Sequence, residues 1–324
     1  MNLVINTLVH LIVEKIVRIH LFPLFREMDQ SVFVGIDLGG TSIKYAAVSN
    51  GTPLWTDTVP TNARDSRDQL IERLAQCTST IQSKGYEVTA TGIGTPGLVD
   101  VTTGFVKGGA YNLPDWENLP LGEMISKKNK LPVFVDNDAN LMGLGEYSQQ
   151  NLGDNVIFIT LGTGIGGAII INGQLYRGSK YAGAELGCIP IDVNGKEGFW
   201  EDFASTTALV EAFKLKSGID VNGRTLIEKY IEGNEIAKFV IDENTRLLGK
   251  GIAAYINIFN PDHIIIGGGI SEAPSYIDLI RTYAFQFAME DCKEGVKISA
   301  AKLGNKAGYL GAARFAEIEL LKTL

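Results

Sequence analysis

Two kinds of residue in this chain are spaced for chemistry. The run "LPVFVDNDAN", residues 131–140, ends an apolar strand, Val133-Phe134-Val135, with Asp136 and Asp138. Carboxylates two residues apart on an extended chain point the same way and would repel if close, so something must make use of at least one. The plainer alternative is that both cap a helix opening near Ala139. Glycine turns are the second kind. "DLGGTSIK", 37–44, and "GTGIGG", 162–167, place backbone N–H groups where an anion can approach closely, and "GGG" at 267–269 adds a third such turn. The first lacks the Walker spacing. The second matches GxGxxG, yet Ala168-Ile169-Ile170-Ile171 and Asn172-Gly173 continue it as a hairpin instead of opening a helix, which excludes a dinucleotide-binding turn.

Positioning such groups requires a regular scaffold, and the chain repeats itself to make one. "VGIDLGGTSIKYAAVSNGTPLW" from Val34 and "IFITLGTGIGGAIIINGQLYRG" from Ile157 both read as strand, glycine turn, strand and Asn-Gly. Val34, Ile36, Leu38 and Gly39 match Ile157, Ile159, Leu161 and Gly162 at a constant offset of 123 residues, with one residue slipping before the Asn-Gly. This is evidence for two related domains, each opening on a β-hairpin, the alternative being chance similarity between glycine-rich hairpins. Residues 66–84 carry Leu70, Leu74 and Ile81 on one helical face, and residues 235–259 carry a longer periodic pattern. "HIIIGGGIS" at 263–271 reads as a buried strand breaking into glycines before another helix, and 308–324 as a final helix docking through Phe315, Ile318, Leu321 and Leu324. Strands alternating with helices place the fold in the α/β class.

The 324 residues suffice for two domains. A formal net charge of -8 supplies no basic field for nucleic acid or an anionic membrane, so an anionic ligand must be held by local groups. Cys77, Cys188 and Cys292 are far apart with no CxxC pair, which suggests neither a disulfide scaffold nor a thiolate zinc site and fits a reducing cytoplasm best. Residues 1–27 lack a basic start and a cleavage site, and Glu14, Lys15 and Arg18 interrupt their apolar run. They read as an upstream extension before a start at Met28, with an amphipathic helix as the alternative.

"GIDLGGTSIK", "GIGTPGLVD", "YNLPDWENLPL", "VDNDAN", "LGTGIGGAIIINGQLYRG" and "AGAELG" occur in the order seen in the ROK family of sugar kinases and sugar-responsive repressors, which the chain resembles from about residue 32 onward. The resemblance implies two actin-like, ribonuclease H-like domains around a cleft: residues 28–135 with 307–324 as the smaller, and 136–306 as the larger. It implies an ATP-dependent hexose kinase acting on a sugar 6-hydroxyl. Asp138 would then be the catalytic base, with Asp136 left to bracing or capping. Gly97, Asn112, Asn137, Asp138, Glu185 and Glu201 would surround the sugar. Asp37, Gly39, Gly40, Thr41 and Lys44 would form the first phosphate loop, Thr163 and Gly164 the second, and Gly267, Gly268 and Gly269 the loop beside the adenosine. Asp37 would hold Mg2+ through water, in keeping with the oxygen ligands that ion takes. Trp116 is expected to pack the interdomain core, and a homodimer is implied.

The chain departs from the family after "AELG". Cys188 stands where many members have a histidine, and the CxCGxxGC cluster that completes their structural zinc site is replaced by "VNGK", which reads as a hairpin turn. One thiol cannot form a tetrahedral site, so no zinc is expected. That histidine also touches the sugar, so glucose, N-acetylmannosamine, N-acetylglucosamine, fructose and β-glucosides all stay open. The alternative function is a family repressor lacking its DNA-binding domain, since 27 residues cannot contain a winged helix-turn-helix.

Overall fold

The computed structural model describes residues 31–110 and 113–323. The extension at 1–27, Asn112 and Leu324 lie outside them. The strands are β1 (Val32–Leu38), β2 (Ser42–Ser49), β3 (Thr52–Pro60), β4 (Val88–Thr95), β5 (Leu98–Asp100), β6 (Phe105–Gly108), β7 (Val133–Asn137), β8 (Val156–Leu161), β9 (Ile165–Ile171), β10 (Gln174–Tyr176), β11 (Pro190–Val193), β12 (Lys196–Phe199), β13 (His263–Gly267) and β14 (Lys297–Ala300).

Two five-stranded sheets share one topology. The first runs β3-β2-β1-β4-β7 and the second β10-β9-β8-β13-β14. In each, the opening hairpin is antiparallel and the following two strands join in parallel. The sequence repeat is therefore a structural one. Leu38 pairs with Ile43 across four turn residues, whereas Leu161 pairs with Ile165 across three, so the slipped residue lies inside the glycine turn itself.

Parallel strands gather their carboxyl ends on one edge, which is where open α/β sheets bind ligands. β1, β4 and β7 deliver Asp37, Pro96-Gly97 and Asn137-Asp138 to that edge, while β8 and β13 deliver the turns at 162–164 and 267–269. The dinucleotide-like "GTGIGG" is a hairpin, as its sequence context requires. Asn194 and Gly195 both take positive φ, 56° and 81°, between β11 and β12, making "VNGK" a tight hairpin.

Helix Arg67–Ser83 buries Leu70, Leu74 and Ile81 as its periodicity predicts, and Ser66 with Gln69 forms a capping box at its start. Helix Asp138–Ser148 separates the two halves. Its Gly143 faces Ala168 of β9, and its Gly145 faces the terminal helix Ala307–Leu321. That helix docks differently from the expectation. Phe315 is buried, but Leu321 is 43% exposed, and Tyr309, Leu310, Ala312, Ala313 and Ala316 make the contact. The cause is backbone proximity. A methyl group added at Gly311 would sit 1.7 Å from the Leu141 carbonyl oxygen, and one at Gly92 would sit 1.8 Å from that of Ala312. The helix is clasped between β1, β4 and helix Asp138–Ser148 by residues without bulk, so long apolar side chains cannot mark its buried face. Gly311→Ala is expected to cost about 3 kcal/mol or more, because backbone must move to admit the methyl. Urea unfolding checks this; an unchanged midpoint would refute the clasp.

Candidate active site

A cavity of about 470 Å³ opens between the halves. Pro96, Gly97, Leu98 and Gly109 form one wall, Gly166 and Gly167 with Tyr181 to Glu185 and Cys188 the other, and Asn137 to Asn140 the floor. Of the residues expected to surround a sugar, Gly97, Asn137, Asp138 and Glu185 are brought together here.

The floor is organised by a short turn. Asn137 ends β7 in extended geometry, and its Oδ1 accepts from the N–H groups of Ala139 (2.9 Å) and Asn140 (3.2 Å). The cap of helix Asp138–Ser148 is thus Asn137, neither of the aspartates. Asn137 Nδ2 donates to the Gly97 carbonyl at 3.1 Å, which leaves its second N–H as the group able to reach a hydroxyl. Asp138 is the first residue of the helix, and its Oδ1 accepts from its neighbour Ala139 N–H at 2.9 Å. Burial raises its carboxyl above the ordinary range. Asp136 points elsewhere. It is 1% exposed, and its Oδ2 receives Nε and Nη2 of Arg177 at 2.8 and 2.7 Å. The two carboxylates of the opening motif have separate environments, and only Asp138 faces the cavity.

Carboxylates flank Asp138 on both sides. Asp37, 3% exposed, is pushed up to about 6 by burial, with Lys44 opposing and Asp138 adding to the rise. Its Oδ1 is buried without a hydrogen-bond partner, a costly state unless a cation or a cation-bound water satisfies it. Lys44, opposite Asp37 in the β1–β2 ladder, reaches Asn305 Oδ1 at 3.2 Å. On the other side Glu185 is raised by burial, then by Glu201 and Asp138. The buried Asp37 Oδ1, lacking a hydrogen-bond partner, fits a magnesium ion that brings its own waters and phosphates. Among the described residues no group of three or more His, Cys, Asp or Glu is placed to hold a metal.

The turns show which N–H groups remain for an anion. Gly39 N–H is spent on Ser42 O at 3.1 Å and Gly162 N–H on Gly164 O at 3.0 Å. Gly40, Thr41 and Thr163 are exposed at the two tips, and Gly164 lies just beneath the second. Gly268 takes φ 99° with its Cα packed against the Leu161 carbonyl, so the 267–269 turn adjoins the second tip. Gly267 closes the buried end of β13, and Gly269 is exposed.

Four placements depart from the sequence reading or were absent from it. Glu201 does not line the cavity; its Oε2 accepts the Ile165 N–H at 2.9 Å and braces the second glycine turn. Trp116 lies in the core of the first half, where its Nε1 donates to Thr95 Oγ1 at 2.8 Å and stiffens the end of β4. It packs within the cluster of the first half and not between the halves. Arg177 and Tyr181 received no role from sequence; Arg177 directly follows the short, largely exposed strand β10. Tyr181 stands at φ 64°, with Lys107 Nζ of β6 5.0 Å from its ring centroid, bridging the two walls.

Cys188 is exposed within the cleft, and burial followed by Glu201 and Glu185 raises its thiol, keeping it protonated. It presents a weak donor to the cavity.

The surrounding relatives share this architecture. The ROK family model matches residues 33–319. A glucokinase of Thermotoga maritima is 33% identical over 310 residues, covering 88% of this chain and 97% of the relative. A xylose repressor of Caldicellulosiruptor bescii is 28% identical over 319 residues, covering 89% of this chain and 79% of its own. A solved ROK family glucokinase from Streptomyces griseus, in complex with glucose and AMPPNP, matches with a TM-score of 0.76 at 32% identity, over 89% of this chain and 100% of that one. The actin-like fold expected from the motifs is thereby shown. With the family model spanning nearly all the described residues, the chain belongs to the ROK family.

Proposed function

We propose that the protein is a sugar kinase that transfers the terminal phosphoryl of ATP to the 6-hydroxyl of a hexose, with Asp138 accepting the hydroxyl proton. One observation carries this reading: a partly buried carboxylate with a raised pKa stands on the cavity floor between a sugar-sized recess and an acid with an unsatisfied oxygen. Similarity to glucokinases supports the reaction class.

The chain's residues divide the work. Asn137 and Glu185 hold sugar hydroxyls against the floor, and Gly97 closes the wall, with Asn112 assigned from the motif alone. Asp138 takes the proton as the oxygen attacks, a role suited to a carboxylate tuned upward from its ordinary value. The tips at Gly40-Thr41 and Thr163-Gly164 approach the phosphates, Gly267 to Gly269 adjoin the nucleoside, and Asp37 with Lys44 faces the phosphoryl end. Magnesium bound through Asp37 would neutralise charge on the transferring group. Zinc is left out of the proposal, since among the described residues Cys188 belongs to no group of three or more metal-ligating side chains. We also infer a homodimer from family likeness and a cytoplasmic location from the three widely separated cysteines.

The test is ADP release with Mg2+ and ATP across glucose, N-acetylmannosamine, N-acetylglucosamine, fructose and a β-glucoside. Turnover with none of them would overturn the kinase reading. The similarity to a xylose repressor favours a second reading, sugar-responsive regulation, for which salt-sensitive binding to a specific DNA operator is the sign. Glu201→Ala separates two roles for that residue. If it braces the phosphate turn, KM for ATP rises by about tenfold while KM for sugar changes less. A rise confined to the sugar KM would instead assign it to the sugar.

A further inference from the structure

We propose that Arg177 is a positioning residue that couples the sugar-facing loop to the proton acceptor Asp138 through its ion pair with Asp136. The proposal rests on the kinase reading of the cavity and adds to it a link between the two halves.

Arg177 stands at a junction. Its side chain lies at 17% exposure against an Asp136 side chain at 2%, and both Nε and Nη2 donate to Asp136 Oδ2. The other oxygen of Asp136 accepts from Asn137 N–H at 2.7 Å and Asn140 Nδ2 at 3.2 Å. Those two donors bracket Asp138, so the carboxylate of Asp136 holds the backbone just before it and the Asn140 side chain just after it. The Arg177 guanidinium also lies 5.2 Å from the Phe315 ring centroid, which places it between the terminal helix, β7 and the second sheet.

The main chain of Arg177 does the opposite task. Its carbonyl accepts the Gly183 N–H at 2.9 Å and closes the loop that supplies Tyr181, Ala184 and Glu185 to the cavity. Within that loop Tyr181 and Ala184 are held at φ 64° and 68°, which L residues adopt only when their surroundings hold them there. A single residue thus anchors the sugar loop by its backbone and the base by its side chain. Displacing the loop must pull on Asp136, and through it on the turn carrying Asp138. A buried ion pair is weak evidence for stability alone, since apolar replacements often serve as well. Its location between base and sugar loop is what gives this one a mechanical role.

The experiment compares Arg177→Met, Asp136→Asn, the double variant and Arg177→Lys. Each single neutralisation strands a buried charge and is expected to lower the melting temperature; the double variant removes both charges and recovers it. Activity should not recover with it. With the hexose giving the highest wild-type turnover, the double variant is expected to lose about tenfold in kcat and gain about tenfold in sugar KM, with ATP KM nearly unchanged. Arg177→Lys keeps the charge but not the forked geometry, and is expected to fold normally yet lose about tenfold in kcat. Wild-type kcat and sugar KM in either the double variant or Arg177→Lys would reduce the pair to a structural contact. Hydrogen exchange reads the coupling without turnover: amides of 137–141 and 178–185 should speed up together in the double variant. Acceleration of the loop alone would overturn the proposal, whereas a wild-type protein that phosphorylates no hexose would overturn the kinase reading and leave this exchange result standing.

Discussion

Asp138→Asn is expected to lower kcat by about 10²–10⁴-fold, the range that a positioned general base contributes, while the sugar KM stays within a few-fold. The substitution is close to isosteric. Asn retains an oxygen for the Ala139 N–H that Asp138 now accepts, and the helix keeps its Asn137 cap. What disappears is the capacity to take a proton. In the wild type the base works only when ionised, and burial raises its carboxyl. Turnover should therefore fall as pH drops through a value above the ordinary carboxylate range, and the residual activity of Asp138→Asn should lack that limb. Steady-state kinetics from acid to neutral pH provides the check. A variant retaining wild-type turnover would remove Asp138 from the chemistry.

Asp37→Asn is expected to separate stability from activity. In the folded protein the Asp37 carboxyl sits at about 6, against an ordinary value of 3.8. Between those values the folded state holds a proton that the unfolded state has lost. The stability contributed by the protonated acid is thus fully present below 3.8 and lost as pH rises through about 6. At neutral pH the ionised, buried carboxylate costs about 3 kcal/mol, at 1.36 kcal/mol per unit. Asn removes that cost, so the metal-free variant should melt several degrees higher, at roughly 2–4 °C per kcal/mol. Its kcat should nevertheless fall by about 10²-fold or more, since the buried oxygen that fits magnesium carries no charge. Differential scanning calorimetry at pH 7 with parallel kinetics tests both halves. A lower melting temperature would mean that Asp37 is stabilised by partners in the folded protein and that its open oxygen is not a cost.

Much of the architecture is local and so is legible in residue order. The Asn-Gly turns, the apolar runs of β1, β2, β8 and β9, and the periodicities of helices Arg67–Ser83 and Glu235–Phe259 each concern neighbours within a few positions. The same is true of the strand end that delivers Asp138, because the position of a residue at a parallel strand's carboxyl end follows from where the apolar run stops. The internal repeat extends this further, since two copies of one pattern must fold into two copies of one sheet.

Other features depend on groups far apart in the chain, and composition does not record them. Asp136 and Asp138 are the same residue type two positions apart, and only the arrival of Arg177 from 41 residues away makes one a brace and leaves the other open to the cavity. Phe315, Ile318 and Leu321 look alike on a helical wheel, but the terminal helix is seated by how closely Gly92, Gly145 and Gly311 let backbones approach. Glu201 braces a turn 36 residues before it for the same reason. Sequence by itself determined which strands and turns form and that Asp138 follows the end of a strand. Tertiary structure decided which carboxylates are neutralised, because a charge's role is set by the dielectric and the partners around it, and those are supplied by segments that meet only after the halves have folded together.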